Sequence, residues 1–275
     1  MRLFSILLFA FFISLDALSF QHSALSQSAP QASAPLVGIA HVAFRVTNVA
    51  KSREFYQKLG VEQSFEFNDP GKPPVSYMKV NDRQFIELYE RKDDTQPLGL
   101  MHVCYEAADI EAVQKDYVQR DVKAPEPKKA RAGNMLFTLR DPENQVVEFT
   151  QYMPGSLHFE DRGKHLAEPS VGSHLARATI AVHDLAAERS FYAGKLGFED
   201  LGGKGPVGLR IPGASADEIE LDASSPAKAR IALSVPNVER AAGELSRRGL
   251  AVQKDGEGVA VSDPDGAVVV FVRGR

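Results

Sequence analysis

One sequence unit occurs four times along this chain, and this repetition constrains the fold more than any other feature. The segment SREFYQKLGVE at Ser52–Glu62 is similar to RSFYAGKLGFE at Arg189–Glu199, and DPENQVVEF at Asp141–Phe149 is similar to DPDGAVVVF at Asp263–Phe271. The second half therefore duplicates the first. Repeats of this kind indicate a supersecondary unit that buries its apolar face only by packing against other copies.

The first unit shows what each copy contains. An alternating strand at Ile39–Val46 precedes Val49–Leu59, where apolar residues recur at helical spacing. Three short runs with strand character follow at Glu62–Glu66, Val75–Val80 and Phe85–Tyr89, separated by turn residues. The pattern predicts one βαβββ module.

The other three units repeat this order. The second has a strand at Met101–Glu106, a helix at Ile110–Arg120 and a last strand at Val146–Tyr152. Units three and four lie at about 175–223 and 229–272. The sequence thus predicts an α+β fold of four βαβββ modules.

The first residues are typical of an export signal. Met1 and Arg2 precede an apolar run at Leu3–Leu15, which is shorter than the roughly 20 residues that span a bilayer. We therefore predict a signal peptide at 1–22 and a flexible tether rich in Ser, Ala, Gln and Pro at 23–37. These segments predict a periplasmic or extracellular protein without stable membrane insertion after cleavage, although an uncleaved anchor is the alternative.

The repeats predict two domains, at 38–153 and 174–275, joined by a polar linker at 154–173. Histidines in flexible polar segments are usually solvated, so those in and beside the linker are expected to lie in water. They are His158, His165 and His174.

Composition limits the partners. Of 275 residues 44% are hydrophobic, which is enough for ordinary globular cores. The net charge of -4 and the lack of a basic stripe with aromatic residues argue against nucleic-acid binding. Cys104 is the only cysteine, so no intrachain disulfide can form, and its apolar strand predicts a small buried thiol. The partner expected is a small-molecule substrate, and the chain could be a monomer or a homodimer.

Four residues carry the strongest chemical signal. His41 in GIAHVAF and His102 in GLMHVCY open matching strands, while Glu87 in FIELYE and Glu148 in VVEFTQ lie on the closing strands of the same units. Two imidazoles and two carboxylates at matching places predict one divalent-metal site. Alternation also places Glu87 on the face opposite Ile86, where an unpaired buried carboxylate would be costly.

These motifs resemble the vicinal oxygen chelate superfamily, which includes glyoxalase I, extradiol dioxygenases and bleomycin-resistance proteins. The resemblance rests on FYQKLG at Phe55–Gly60, DPENQVVEF at Asp141–Phe149 and the two histidine strands, and it covers residues 38–273. It implies that the modules pair into two glyoxalase-like incomplete barrels, each with a cleft for a metal.

The resemblance implies a metal-dependent, glyoxalase-like lyase or isomerase. One divalent ion (Ni, Zn, Mn, Co or Fe) would be held by His41, Glu87, His102 and Glu148. It would act on adjacent oxygens of a small hydroxy-carbonyl substrate and stabilise the enediolate formed when a proton leaves carbon. Glu148 or Glu87 would move that proton, and Arg45 would contact the substrate.

Two alternatives stay open. An extradiol-type ring-cleaving dioxygenase would hold Fe(II) with His41, His102 and Glu148 and leave Glu87 free. A non-catalytic small-molecule binding or resistance protein would use the cleft without turnover.

The second half lacks the same donors. The places of the four candidate ligands carry Arg177, Glu220, Arg230 and Val270. An arginine keeps its proton and valine has no donor atom, so this half is predicted to be a structural partner or an anion-binding cleft. Retaining all four donors requires units one and two to pair, within one chain or by exchange in a dimer.

Overall fold

Each half of the chain forms one eight-stranded mixed sheet. The computed structural model describes residues 36–203, 205–213, 217–224, 229–256 and 258–274. The predicted signal peptide (1–22) and most of the predicted tether (23–37) lie outside these residues, and the first strand includes the last two residues of that tether range. Within the described part, no helix is long and apolar enough to cross a membrane.

The first barrel contains units one and two of the same chain. Its elements are β1 Leu36–Val46, α1 Val49–Lys58, β2 Glu62–Phe67, β3 Val75–Lys79, β4 Phe85–Glu90, β5 Gly99–Ala107, α2 Ile110–Gln119, β6 Lys128–Lys129, β7 Met135–Arg140 and β8 Val146–Gln151. The strand order is β2-β3-β4-β1-β5-β8-β7-β6. β1 lies at the centre, parallel to β4 and antiparallel to β5. The predicted pairing of units one and two is thereby confirmed, and it occurs within one chain.

The linker contains one short helix, α3 Leu157–Glu160. The elements of the second barrel are β9 His174–Ala181, α4 Leu185–Arg189 with a π-helical turn at Ser190–Lys195, β10 Glu199–Gly202, β11 Val207–Arg210, β12 Glu218–Asp222, β13 Arg230–Val235, α5 Val238–Arg247, β14 Gln253–Asp255, β15 Gly258–Ser262 and β16 Val268–Arg273. Their order, β10-β11-β12-β9-β13-β16-β15-β14, repeats the topology of the first barrel. The predicted α+β fold of four βαβββ modules is confirmed.

Local sequence explains where the first helix begins and ends. The Asn48 side chain accepts a hydrogen bond from the Lys51 amide and so caps the first turn of α1. Gly60, just after the helix, has a φ of +80°, and a Cβ there would lie 2.7 Å from the Ser170 Cα. Only glycine meets both conditions, so this position ends the helix and lets the linker pass close by.

Alternation divides each strand between two environments. On β1, Val42 and Phe44 point into the large hydrophobic core, and their neighbours His41 and Ala43 face the concave side. The core is one continuous cluster that contains residues of both barrels. The concave face of the first barrel is therefore free to carry polar groups without interrupting the core.

A buried polar contact joins the two barrels. The Gln84 amide makes a pair of hydrogen bonds with the backbone of Leu175, at 2.7 and 3.0 Å. Asp217 accepts from the Ile39 amide at 2.9 Å. These contacts satisfy groups that would be costly to bury alone, and they fix the start of β1 against the second barrel.

Candidate metal centre

Strand register brings the predicted donors together on the concave face of the first barrel. His41 pairs with Cys104 across β1 and β5, and Cys104 pairs with Glu148 across β5 and β8. Ala43, two residues after His41 on β1, pairs with Glu87 on β4 and with His102 on β5. Four different strands thus contribute to a single cluster.

His41 lies at the centre of the cluster. Its Nε2 atom is 3.1 Å from His102 Nε2 and 3.4 Å from Glu148 Oε1. Its Nδ1 atom is 3.4 Å from Glu87 Oε1. Two sets of three residues could hold an ion, and both sets contain His41. Within each set, the potential ligand atoms all lie within 4.8 Å of one another. One set adds Glu87 and His102, and the other adds Cys104 and Glu148.

The cluster is buried, and burial separates the protonation behaviour of its members. Burial raises the pKa of Glu87. Burial also acts to raise the pKa of Glu148, but its interaction with His41 outweighs this effect and lowers it. Burial lowers the pKa of His102 to about 4, whereas the charges of Glu87 and Glu148 overcome burial at His41 and raise its pKa. Near neutral pH the centre therefore offers a neutral His102 and an ionised Glu148.

A tyrosine orients the second carboxylate. The Tyr89 hydroxyl donates to Glu87 Oε2 at 2.7 Å, and Tyr77 interacts in turn with Tyr89. Burial is the main cause that raises the pKa of Tyr89, so it stays a hydrogen-bond donor. Glu87 is consequently held in one orientation with one oxygen toward His41.

The cluster suits a divalent cation. His41 Nδ1 is buried and makes no hydrogen bond, although Glu87 Oε1 is near. A buried polar atom without a partner is costly, and a cation shared by this cluster would offset that cost. Two imidazole nitrogens with carboxylate oxygens form a donor set that suits zinc, nickel, cobalt, manganese or iron.

Arg45, the predicted substrate contact, lies on the same face of β1 as His41. Its guanidinium donates to the Pro97 carbonyl oxygen at 3.2 Å, just before β5 begins. No contact between Arg45 and the four donors is found in the part of the chain that the structure describes. Its substrate role stays a prediction.

The cleft of the second barrel has a different character. Its cavity has a volume of about 830 Å³ and is lined partly by small apolar residues such as Ala176 and Val272. Arg230 makes two hydrogen bonds to Asp255, at 2.9 and 2.5 Å. Arg177 likewise lies 3.8 Å from a carboxylate, that of Glu220. This pairing leaves less positive charge for an anion than the sequence predicts.

The linker histidine His158 is not solvated, so that prediction is wrong. It is 2% exposed, and neither ring nitrogen has a hydrogen-bond partner. The ring stacks on Tyr152 with centroids 4.6 Å apart and meets Phe65, Tyr77 and Phe85 edge to face. Burial lowers its pKa to about 3. Sequence reasoning missed the burial of His158 because docking of the linker causes it, and no local sequence pattern predicts this docking.

Replacing His158 tests whether it serves packing alone. His158→Phe keeps a flat ring and removes two unpaired polar atoms, so we expect the free energy of unfolding to rise by about 1 kcal/mol. His158→Ala should lower it by about 3 kcal/mol because it leaves a cavity among four aromatic rings. Chemical denaturation of both variants measures these changes. A large loss in the Phe variant would show that the nitrogens have partners in solution.

Comparisons with known proteins agree with this architecture. Residues 38–149 match the family model described as Glyoxalase/Bleomycin resistance protein/Dioxygenase superfamily. No curated protein matches the chain by sequence.

Solved structures resemble the chain as a whole. The Mn(II)-bound glyoxalase from Novosphingobium aromaticivorans has a TM-score of 0.65 at 15% identity, with 86% of this chain and 82% of that chain covered. The 2,3-dioxygenase LapB from Pseudomonas sp. KL28 has a TM-score of 0.68 at 14% identity, with coverage of 88% and 94%. Homoprotocatechuate 2,3-dioxygenase from Arthrobacter globiformis has a TM-score of 0.64 at 16% identity, with coverage of 90% and 82%.

At such low identity these likenesses concern the fold, which is the tandem arrangement described above. The family match adds sequence support for the barrel that carries the donor cluster. The first barrel, at residues 38–149, thus matches the glyoxalase/bleomycin resistance protein/dioxygenase superfamily by sequence.

Proposed function

We propose that the first barrel is the centre of a metal-dependent lyase or isomerase that moves a proton on a small hydroxy-carbonyl substrate. The observation that carries the proposal is the placement of two carboxylates at opposite ring nitrogens of His41: Glu148 Oε1 lies 3.4 Å from Nε2, and Glu87 Oε1 lies 3.4 Å from Nδ1. The pKa of Glu148 is lowered and that of Glu87 is raised, although both are largely buried. Environments that separate two carboxyl groups in this way suit one to a permanent charge and the other to proton transfer.

The residues divide into two roles. His41, His102 and Glu148 would hold the ion, because Nε2 of His41 lies within 3.4 Å of a donor atom on each of the other two. A bound divalent ion would act as a Lewis acid on two adjacent oxygen atoms of the substrate. Glu87 approaches His41 from the Nδ1 side and would be the group that moves the proton.

Burial and Tyr89 prepare Glu87 for this role. A carboxylate with a raised pKa is a stronger base than one in water, so it removes a carbon-bound proton more effectively. The hydrogen bond from Tyr89 fixes the carboxylate so that one oxygen stays directed into the cluster.

Glu87→Gln tests the assignment. The amide keeps the size of the side chain but cannot accept a proton, so turnover should fall by roughly 10²–10⁴-fold while metal content is retained. The measurement is turnover of a panel of hemithioacetals, together with proton exchange at the carbon beside a carbonyl in deuterated water. Unchanged exchange in the variant would remove Glu87 from the base role.

Ring-cleaving dioxygenation is the second candidate, and the arrangement around His41 favours it. Two imidazoles and one carboxylate meet at His41 Nε2, while Glu87 lies at the other ring nitrogen. Such a set with open positions is typical of non-haem iron sites. Oxygen uptake with catechols by iron-loaded protein, without proton exchange, would support this candidate over the first. Ligand capture without either reaction would favour a binding protein.

A further inference from the structure

We propose that Cys104 is a sulfur ligand of the metal centre in the first barrel, so that the centre prefers thiophilic ions such as zinc and cobalt to manganese. The inference rests on the proposed metal site and adds a donor to it. It concerns a residue that the sequence predicts only to be a small buried thiol.

Register places the thiol inside the donor cluster. Cys104 is the cross-strand neighbour of His41 on one side and of Glu148 on the other. Its sulfur and ligand atoms of those two residues all lie within 4.8 Å of one another. A shared cation could therefore contact all three after small side-chain movements.

Cys104 also points away from the main core. Its neighbours Val103 and Tyr105 pack in the large hydrophobic cluster, whereas Cys104 lies in a small cluster on the concave side with Phe85 and Tyr152. The sulfur has only a weak contact, at 4.0 Å, with the carbonyl oxygen of the next residue, apart from its interaction with Glu148. It is thus available to the cluster and is not required by the core.

The imidazoles of His41 and His102 give an independent indication of a cation at this place. His41 is 3% exposed, and its Nε2 atom lies 3.1 Å from His102 Nε2 and 3.4 Å from Glu148 Oε1. Two imidazole nitrogens that face each other beside a carboxylate form a donor set that one cation can share.

The second barrel supplies an internal comparison. The three neighbouring places of His41, Cys104 and Glu148 are occupied there by Arg177, Ala232 and Val270. Alanine therefore satisfies the packing of this sheet position. The sulfur occurs only in the barrel that has the histidines and both carboxylates, which links it to the donor cluster and not to the fold.

Sulfur changes which ion the centre selects. Thiolate ligands favour zinc and other soft or borderline ions, while carboxylate and water ligands suit manganese and magnesium. A set of two imidazoles, one or two carboxylates and one thiolate should consequently bind zinc or cobalt in preference to manganese.

Cobalt substitution tests this inference directly. The full chain, with Cys104 as its only cysteine, is loaded with Co(II) beside Cys104→Ser and Cys104→Ala. We expect a thiolate-to-cobalt charge-transfer band in the near ultraviolet for the wild type and no band for either variant. Zinc affinity should fall by about tenfold or more in the variants, while manganese affinity changes little.

The outcomes separate the two proposals. Bound cobalt without the band, or equal zinc affinity in wild type and Cys104→Ser of the same thermal stability, would overturn the sulfur ligand and leave the metal centre intact. A wild-type protein that binds neither cobalt nor zinc would overturn the metal centre itself and the sulfur ligand with it.

Discussion

His41→Ala is expected to abolish metal binding by the full chain, whereas His102→Ala should weaken it without abolishing it. His41 belongs to both sets of potential ligand atoms, and its two nitrogens face different donors. Removing His41 therefore breaks both sets of potential ligands. Removing His102 breaks only one set and leaves the other, which contains His41, Cys104 and Glu148. We expect metal affinity to fall by at least about 100-fold in His41→Ala.

Elemental analysis of protein purified without chelator, followed by titration with zinc and cobalt, measures this effect. The matched control is His183→Ala, which removes an imidazole whose side chain is 99% exposed and which pairs with Glu143, outside both sets of potential ligands. It should keep full metal content. Equal metal content in His41→Ala and in His183→Ala would contradict the centre described here.

Lys79→Met is expected to cause a large loss of stability in the first barrel. The Lys79 side chain is completely buried, and its ammonium lies 2.9 Å from carboxylate oxygens of both Asp82 and Asp161. It also donates to the carbonyl oxygens of Asp161 and Lys164, at 2.5 and 2.7 Å. One buried cation thus ties the linker to β3.

Methionine would fill the volume but remove the ammonium from Asp161 Oδ2, so that the carboxylate, 8% exposed, would keep only the His165 imidazole at its other oxygen as an ion-pair partner. Breaking a buried pair from one side typically costs about 3–5 kcal/mol, and we expect a loss of this size in the free energy of unfolding. Chemical denaturation followed by circular dichroism measures it. Lys72→Met is the control, because Lys72 is 71% exposed in a surface pair with Asp69 and should contribute less than about 1 kcal/mol.

Hydrogen exchange in the Lys79→Met variant distinguishes loosening of the linker from opening of the barrel. Because Lys79 holds the segment that carries His158 against the aromatic rings, loosening the segment should increase hydrogen exchange at 157–165 before the sheet opens. An exchange pattern equal to that of the wild type, with stability within about 1 kcal/mol, would show that the contact is not needed to dock the linker.

Periodicity was sufficient to predict the fold. The alternation of Ile39–Val46, the helical spacing of Val49–Leu59 and their fourfold repetition predict βαβββ modules, and the two sheets confirm them. The reason is that burial of one face per strand or helix imposes a local pattern. In the second half of the chain, Val270 occupies the place of Glu148. For this reason the sequence also predicts that units one and two must pair if all four donors are to be retained.

The membership of the donor cluster could be predicted only in part. His41, Glu87, His102 and Glu148 were identified because each occupies the same place in a repeated unit, and the structure brings them together. For Cys104 the sequence predicts a packing role, since a cysteine on an apolar strand looks the same in sequence whether it faces the core or the cleft. Its position depends on the register of β1, β5 and β8.

Local patterns along the chain specify the module, the fourfold repetition and the asymmetry between a barrel with the four predicted donors and a barrel without them. Packing of distant segments sets the other features: units one and two pair within one chain, His158 is buried among aromatic rings, and Lys79 holds the linker. The two groups of features differ in the range of the interactions that produce them. Periodic burial depends on residues that are close together in the sequence. In contrast, the contacts of Lys79 with Asp161 and of His158 with Phe65 join residues far apart in the chain. Only the complete packing brings these residues together.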